Sequence, residues 1–224
     1  MKFLTSISVL LALLSASIGH AQTVCIDPGH PSEVGSGTHG KKITEIRAAW
    51  KVARLLKKEL LDAGLTVVMT KGNETQFVKN RDRAALANKV KANLMVRLHC
   101  DSEAGSGFAV YIPRKQGTAQ GKTGPSKSVI ALCGKNGAIF HKELALNLKG
   151  KLKDNGLLPD TATAVGGKYG ALIGSIFSEV PVVLIEMCRL SNKKDEAFIS
   201  SEDGQKAMAH ALAMATLKVV RPEK

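Results

Sequence analysis

The sequence is short of aromatic residues, of acidic residues and of closely spaced cysteines, and each shortage argues against a class of protein. Aromatic residues make up 4% of the 224 residues, and they do not alternate with basic residues in the way that stacks nucleic-acid bases. The 32 lysines and arginines outnumber the 19 aspartates and glutamates, for a net charge of +13. We therefore expect anionic lipid or an acidic envelope polymer as partner, and no nucleic acid. A basic surface that only keeps the protein soluble is an equal alternative.

The four cysteines are few for a chain of this length. Cys25, Cys100, Cys133 and Cys188 lie far apart and form no CxxC pair. A scaffold built on disulfides is therefore not expected, because the chain is long enough to bury a core without one. Buried free thiols account best for at least two of the four.

A long hydrophobic run occurs at the amino terminus. Lys2 precedes an apolar stretch from Phe3 to Ile18, and the small residues Gly19 and Ala21 follow at the −3 and −1 positions of a cleavage site. This stretch is short for a bilayer span and no basic stop follows it. We therefore predict a signal peptide over residues 1–21 and a mature chain over residues 22–224, which is exported to the periplasm or the medium and is not stably inserted in a membrane.

In the rest of the chain, short apolar runs alternate with segments whose apolar residues have helical spacing. Short apolar runs, typical of strands, are "TVCIDP", "LTVVMT", "NLMVRLHC", "GFAVYIP" and "PVVLIEM". Helical spacing is found in "EIRAAWKVARLLKKELLDAG", "RDRAALANKVKA", "AIFHKELALNLKGKLKDNG" and "DGQKAMAHALAMATLKVV". Strands alternating with helices predict an α/β fold, in which helices cover both faces of a mostly parallel twisted sheet within a single domain.

One segment fits neither pattern. Residues 114–137 are rich in glycine, lysine and serine, which predicts a mobile loop. Such a loop could form a flap over a site, or it could be a plain surface excursion.

Three predicted strands end in residues that suit metal binding or acid–base chemistry. His30 and His99 follow two of them, and Glu186 lies near the end of "PVVLIEM". In parallel α/β sheets, ligands bind outside the carboxyl ends of the strands. Glu45 follows the predicted N-cap Thr44 and can approach His30, although a first-turn carboxylate also suits the helix dipole without any metal.

Together these residues predict a hydrolytic metal centre. Two imidazoles and one carboxylate, as His30, His99 and Glu45 would supply, form a ligand set of catalytic zinc enzymes. Zinc acidifies a bound water, the nucleophile, and polarises a carbonyl group. Burial of Glu186 in an apolar strand would raise the pKa of its carboxyl group, which suits a general base and acid.

The order of motifs resembles a known family. "CIDPGH", "TEI" at a helix start, "RDRAALANKVKANLMVRLHCD", "GFAVYIP" and "PVVLIEMCRLSNKKDEAFI" closely resemble the zinc-dependent N-acetylmuramoyl-L-alanine amidases of bacterial cell walls, of the amidase-3 type. The resemblance covers about residues 23–217 within a catalytic domain of 22–224. It implies that His30, Glu45 and His99 bind Zn²⁺ and that Glu186 is the catalytic carboxylate.

Supporting residues can be assigned in part. Arg83 and Asn88 match the R-x4-N motif of the family, and we expect a structural role for them beneath the site. Asp27 could orient His30 through a hydrogen bond, or it could cap the turn. Three other histidines of the predicted mature chain lie outside the constellation. His39 could be a stray ligand, although a solvated loop histidine is the better interpretation, and we expect no site role for His141 or His210.

The sequence also departs from the family pattern. Cys100 and Asp101 follow the second histidine, where a small apolar residue is common. Residues 187–189, Met-Cys-Arg, replace a glycine and an aromatic residue. We interpret these as changes in the pocket wall. A disulfide between Cys100 and Cys188 is one possibility, and a thiol that competes for zinc is another.

The resemblance predicts hydrolysis of the amide between N-acetylmuramic acid and L-alanine of peptidoglycan, by a monomer that could need an activator protein. The alternatives are a zinc peptidase that cleaves the stem peptide and an inactive peptidoglycan-binding module.

Overall fold

The computed structural model describes residues 22–222, so the predicted signal peptide lies outside the described part of the chain. The described strands are β1 (Thr23–Pro28), β2 (Thr66–Met69), β3 (Leu94–Asp101), β4 (Phe108–Ile112), β5 (Gly117–Ala119), β6 (Lys122–Gly124), β7 (Asp154–Pro159) and β8 (Val182–Arg189). Six of them form one sheet in the order β2-β1-β3-β8-β4-β7. All neighbours are parallel except β4, which runs antiparallel to β8. The mostly parallel α/β fold is confirmed.

Helices cover both faces of this sheet. They are α1 (Glu45–Asp62), α2 (Asn80–Lys89), α3 (Lys127–Leu148), α4 (Ala164–Tyr169), α5 (Ile173–Ile176), α6 (Lys193–Ser200) and α7 (Glu202–Val220). One layer contains α1, α3 and α7, in which α1 and α3 each pack on α7, and α2 packs with α5 on the other side. Within residues 22–222, none of the helices combines the length and hydrophobicity of a membrane span.

Helix α1 forms because its sequence caps and buries one face. The Thr44 side chain accepts a hydrogen bond from the Arg47 amide, which satisfies one of the free amides at a helix start. The face toward the sheet is buried and consists of Ala48, Ala49, Val52, Ala53, Leu56 and Leu60. Trp50, in the same helix, is only half-buried.

The segment predicted as a mobile loop is largely ordered structure, so that prediction is wrong. Strands β5 and β6 form a hairpin whose turn has positive φ at Gln120 and Gly121, and α3 begins at Lys127. Gly137, inside α3, permits close packing, since a Cβ there would lie 2.8 Å from Cγ2 of Ile112. The helix predicted over 138–156 ends at Leu148 instead, and the following residues enter β7.

Candidate metal centre

The turn after β1 is held tightly against β3. The Gly29 amide donates to the carbonyl of Leu98 at 2.8 Å. A Cβ on Gly29 would overlap the imidazole ring of His99, so only glycine fits here without displacing that ring. His30 has φ of 46°, a left-handed conformation that non-glycine residues adopt rarely. The Asp-Pro-Gly sequence therefore brings His30 beside His99.

His30, Glu45 and His99 lie together, as the sequence predicts. Each offers one ligand atom, and these atoms lie within 4.8 Å of one another. Oε1 of Glu45 lies 2.8 Å from Nδ1 of His99 and 3.6 Å from Nε2 of His30. The two imidazole rings meet edge to face, with 5.1 Å between centroids. Among the residues that the structure describes, this is the one group of three or more such side chains close enough to share an ion.

Neighbouring backbone groups orient two of these side chains. Nδ1 of His30 lies 2.9 Å from the Gly35 carbonyl, so Nδ1 is the donor and Nε2 is left facing Glu45. The other carboxylate oxygen of Glu45, Oε2, accepts from the Thr38 amide at 2.8 Å, and the Cys100 amide donates to Oε1 at 3.2 Å. The carboxylate is therefore fixed from both sides.

The electrostatics of this cluster favour a cation. Burial alone would raise the pKa of Glu45, but the hydrogen bond from His99 and the charges of both histidines lower it to about 2. Burial lowers the pKa of His99, whose buried Nε2 has no hydrogen-bond partner. An ionised carboxylate and two imidazole rings therefore meet here. This donor set fits a divalent metal ion of the zinc type.

Glu186 lies opposite His99 in the pairing of β3 with β8. Its Oε2 is buried and has no hydrogen-bond partner. Burial raises the pKa of this carboxyl group well above its ordinary value, and the negative charges of Glu45 and Asp101 raise it further. A buried carboxyl group with a raised pKa is suited to act as a general base or acid.

His99 and Glu186 open into a cavity of about 170 Å³. One wall is polar and includes Asn80 and Arg97. The apolar part of the lining consists of Val34, Val165, Leu172, Ile173 and Leu184. The cavity beside His99 and Glu186 therefore offers both polar and apolar contacts to a ligand.

A buried charged cluster supports the His30 turn from below. Asp27 is fully buried and accepts hydrogen bonds from Arg83 at 2.6 Å, Arg97 at 2.8 Å and Thr70 at 2.5 Å. Its burial alone would raise the pKa, but the two guanidinium groups and the threonine bond hold it well below its usual range. Of the two roles suggested for Asp27, the hydrogen bond with His30 is not formed, because Nδ1 of His30 contacts the Gly35 carbonyl instead.

Two basic residues hold the backbone of the turn. Arg83 donates to the carbonyls of Pro28 at 2.7 Å and Pro31 at 2.9 Å, so the expected structural role is confirmed. Lys71, which the sequence analysis did not single out, donates to the His30 carbonyl at 2.5 Å. Burial, together with the charge of Arg83, lowers the pKa of Lys71 to about 8.

The acidic pair that ends the "LSNKKDE" motif joins loops near the site. Asp195 accepts from the amides of Gly107 at 2.5 Å and Arg189 at 3.1 Å. Glu196 accepts from the Lys42 amide at 2.6 Å. Both carboxylates are buried, so they fix the loop that leads to Glu45 and the loop that follows β8.

The cysteines and the remaining histidines lie outside the cluster. Cys100 and Cys188 approach to 3.8 Å between sulfur atoms, and all four cysteines are buried free thiols. No described cysteine lies in the candidate metal cluster. His141 pairs with Asp154 at 2.8 Å and His210 with Glu59 at 3.0 Å, while the backbone of His39 bridges to Thr44.

Comparison with known proteins adds to this geometry. The family model described as N-acetylmuramoyl-L-alanine amidase, of the amidase-3 type, matches residues 24–218. The N-acetylmuramoyl-L-alanine amidase Rv3717 of Mycobacterium tuberculosis is 24% identical over 213 residues, which cover 84% of this chain and 82% of the relative. A sporulation-specific N-acetylmuramoyl-L-alanine amidase of Bacillus subtilis is 27% identical over 164 residues, covering 68% of this chain and 63% of the relative.

Solved structures agree on the fold. The amidase Ami1 of Mycobacterium smegmatis superposes with a TM-score of 0.73 at 20% identity, and the match covers 90% of this chain and 98% of that one. The CwlD amidase of Clostridioides difficile, solved in complex with the GerS lipoprotein, has a TM-score of 0.66 at 17% identity, with 90% and 100% covered.

Proposed function

Because this chain belongs to the amidase-3 family of N-acetylmuramoyl-L-alanine amidases, we propose that it hydrolyses the amide between N-acetylmuramic acid and L-alanine in peptidoglycan. The observation that carries the proposal is the His30–Glu45–His99 cluster beside the buried, unpartnered carboxyl oxygen of Glu186. In the reaction, the oxygen of water bonds to the lactyl carbonyl carbon, the carbon–nitrogen bond breaks, and the products are a lactyl carboxylate and an alanine amine.

His30, Glu45 and His99 would hold one divalent metal ion, which we propose to be Zn²⁺. A zinc ion bound by such residues polarises a carbonyl group and lowers the pKa of water. The protein keeps its ligands ready by fixing the His30 ring on the Gly35 carbonyl and the Glu45 carboxylate on two backbone amides. Their positions therefore do not depend on the substrate.

Glu186 would move the proton. Its carboxylate takes a proton from the attacking water, and the raised pKa increases its affinity for that proton. It then delivers the proton to the departing amide nitrogen, which leaves as an amine rather than as a strongly basic anion. The apolar wall that includes Leu172 and Ile173 would exclude bulk water and receive the methyl group of the lactyl or alanyl unit.

The setting of this activity is the bacterial envelope. We propose that the chain is exported, to the periplasm or the medium, and acts on peptidoglycan. One structural neighbour was solved with a lipoprotein partner, which supports the proposal that an activator protein could regulate this enzyme too.

The test is mass spectrometry of peptidoglycan incubated with the protein. Free stem peptides that begin with L-alanine, lost with a chelator and restored by zinc, are the expected result. Products cleaved within the stem peptide would instead indicate a peptidase. Absence of cleavage, with no metal bound, would favour a peptidoglycan-binding module.

Substitution Glu186→Gln separates the metal from the proton transfer. We expect it to retain the bound metal, measured by elemental analysis, and to lose activity by about 10²-fold or more, since a positioned general base contributes about 10²–10⁴-fold. Glu179→Gln, at an exposed surface pair with Lys122, is the matched control and should behave like the wild type. Full activity in Glu186→Gln would remove Glu186 from the mechanism.

A further inference from the structure

A second concave surface lies between α1 and the outer edge of β2. This groove, of about 620 Å³, is lined by Trp50, Arg54, Lys57, Val67, Val68, Met69, Thr70, Lys71, Gly72 and Gln76. Its chemistry differs from that of the cavity at Glu186, because no acidic side chain of the described chain lines it. It lies outside the candidate metal cluster, and the proposed hydrolysis does not use it.

The aromatic wall of the groove is Trp50, the sole tryptophan of the chain. The side chain is half-buried, and Nζ of Lys71 lies 6.0 Å from the centroid of its ring. Lys71 in turn donates to the backbone carbonyl of His30. One buried lysine therefore links the tryptophan to the turn that carries His30. An indole face attracts the weakly positive C–H groups of a sugar ring, because the π-system is negative.

The floor of the groove offers free backbone hydrogen-bonding groups. Strand β2 is an edge strand, since β1 is its neighbour in the sheet. The amides of Thr66 and Thr70 donate to Gln22 and Ile26 on the β1 side, so the backbone groups of Val67 face the opposite, open edge. Met69 faces the same way. An unpaired edge of this kind can pair with amide groups of a ligand.

The rim of the groove is cationic. Arg54 is exposed and Lys57 is half-exposed, and both lie on the same side of α1 as Trp50. Lys71 is committed to backbone carbonyls of the His30 turn and is not available for a ligand. Two cations therefore remain for an anionic group that enters between α1 and β2.

We propose that this groove binds the denuded glycan, the N-acetylated sugar chain that carries a free lactyl carboxylate on each muramic acid. Each chemical element of that ligand has a counterpart: sugar rings for Trp50, acetamido groups for the β2 edge, and carboxylates for Arg54 and Lys57. The inference rests on the proposed function, since that hydrolysis creates these carboxylates. Binding of its own product would hold the enzyme on strands already cleaved.

The test follows the fluorescence of Trp50 during titration with denuded glycan oligosaccharides prepared with an independent amidase. Because the chain has one tryptophan, the signal reports on this groove. We expect saturable binding, and about tenfold or weaker affinity for neutral chito-oligosaccharides of the same length, because these lack the carboxylates. Equal affinity for the neutral chain, or no fluorescence change with denuded glycan, would overturn the proposal.

Two charge-reversal variants, one in the groove and one far from it, test whether the cations of the groove bind the glycan. Arg54→Glu should weaken denuded-glycan binding about tenfold or more, since it replaces one cation by an anion. Lys135→Glu makes the same change in net charge on the exposed face of α3, and its affinity should stay within about twofold of the wild type because added salt and distance screen it. Equal losses in the two variants would overturn the proposal.

A polyglutamate peptide tests charge and strand pairing without sugar. It should bind at least about tenfold more weakly than the denuded glycan, and equal binding would assign the groove to acidic peptides instead. Binding requires no turnover, so an inactive protein that binds denuded glycan would contradict only the amidase proposal. An active protein that does not bind it would contradict only this inference.

Discussion

Replacement of Asp27 by asparagine tests whether the buried charged cluster holds the fold. The wild-type carboxylate is fully buried and accepts from two guanidinium groups and one hydroxyl. The substituted amide would keep the shape of the side chain but leave Arg83 and Arg97 without a counter-charge. Removal of one partner from a buried ion pair costs about 3–5 kcal/mol of unfolding free energy.

The expected loss lies toward the lower end of that range, because both arginines keep other acceptors. Arg83 still donates to the carbonyls of Val78, Pro28 and Pro31, and Arg97 still donates to Asn80. About 3 kcal/mol corresponds to a decrease of roughly 6–12 °C in melting temperature for a chain of this size. Urea denaturation and calorimetry both measure it.

The matched control is Asp62→Asn, which removes an exposed carboxylate paired with Lys58 at 2.6 Å. Pairs of this kind contribute little because water and salt screen them, so its stability should equal that of the wild type within error. If Asp27→Asn were no less stable than Asp62→Asn, the buried cluster would have no role in stability.

The pH dependence of stability gives an independent test of whether the Asp27 carboxylate stabilises the fold. The folded-state pKa of Asp27 lies well below its ordinary value, whereas the unfolded value is about 4. The contribution is therefore complete above about pH 4 and decreases as the pH falls toward the folded-state pKa. The stability difference between wild type and Asp27→Asn should be constant near neutral pH and should narrow in acid. A difference that widened in acid would refute the reasoning.

Further predictions concern the turn, a loop and the thiols. Gly29→Ala should reduce metal affinity, measured by calorimetry, by about tenfold or more, because the new Cβ would displace His99. Gly72→Ala is the control and should leave metal affinity unchanged, because its Cβ would lie 3.6 Å from Gln76, an ordinary contact. Asn88→Ala should lose about 1–3 kcal/mol in urea denaturation, because Asn88 bonds the backbone of Phe177 and Glu179; unchanged stability would contradict this. Burial raises the pKa of Cys25 and Cys133 to about 12, so a thiol reagent should label all four cysteines only after unfolding, and rapid labelling of the native protein would contradict their burial.

The fold could be predicted for those elements whose apolar residues follow the pattern typical of a strand or a helix. "TVCIDP", "NLMVRLHC" and "PVVLIEM" are apolar runs, and they form β1, β3 and β8 at the centre of the sheet. Prediction failed at β7, because Asn155 and Gly156 are residues typical of turns and the preceding helical pattern continues into them. The hairpin of β5 and β6 was missed because its short strands are polar on the exposed side.

The sequence predicts the residues of the candidate site itself more fully than the residues that hold them in place. His30, His99 and Glu186 follow from strand ends, and Glu45 from a helix start, since topology alone brings these positions to one edge. Arg97 and Lys71 gave no signal, because an isolated basic residue in an apolar strand or after one does not reveal its partner. Their roles depend on tertiary distances that no local pattern contains.

The hydrogen bonds from Arg83 and Lys71 to the backbone of the His30 turn have a consequence for the order in which the chain folds. Arg83 reaches Pro28 across 55 positions of the chain, and Lys71 reaches His30 across 41. Long-range contacts of this kind form only once the sheet and α2 have docked. In small zinc domains the ion is needed to organise the chain. Here we expect the core to organise the candidate ligand residues first. A bound ion would therefore stabilise a finished architecture by mass action, and the polypeptide would not depend on it as a folding template.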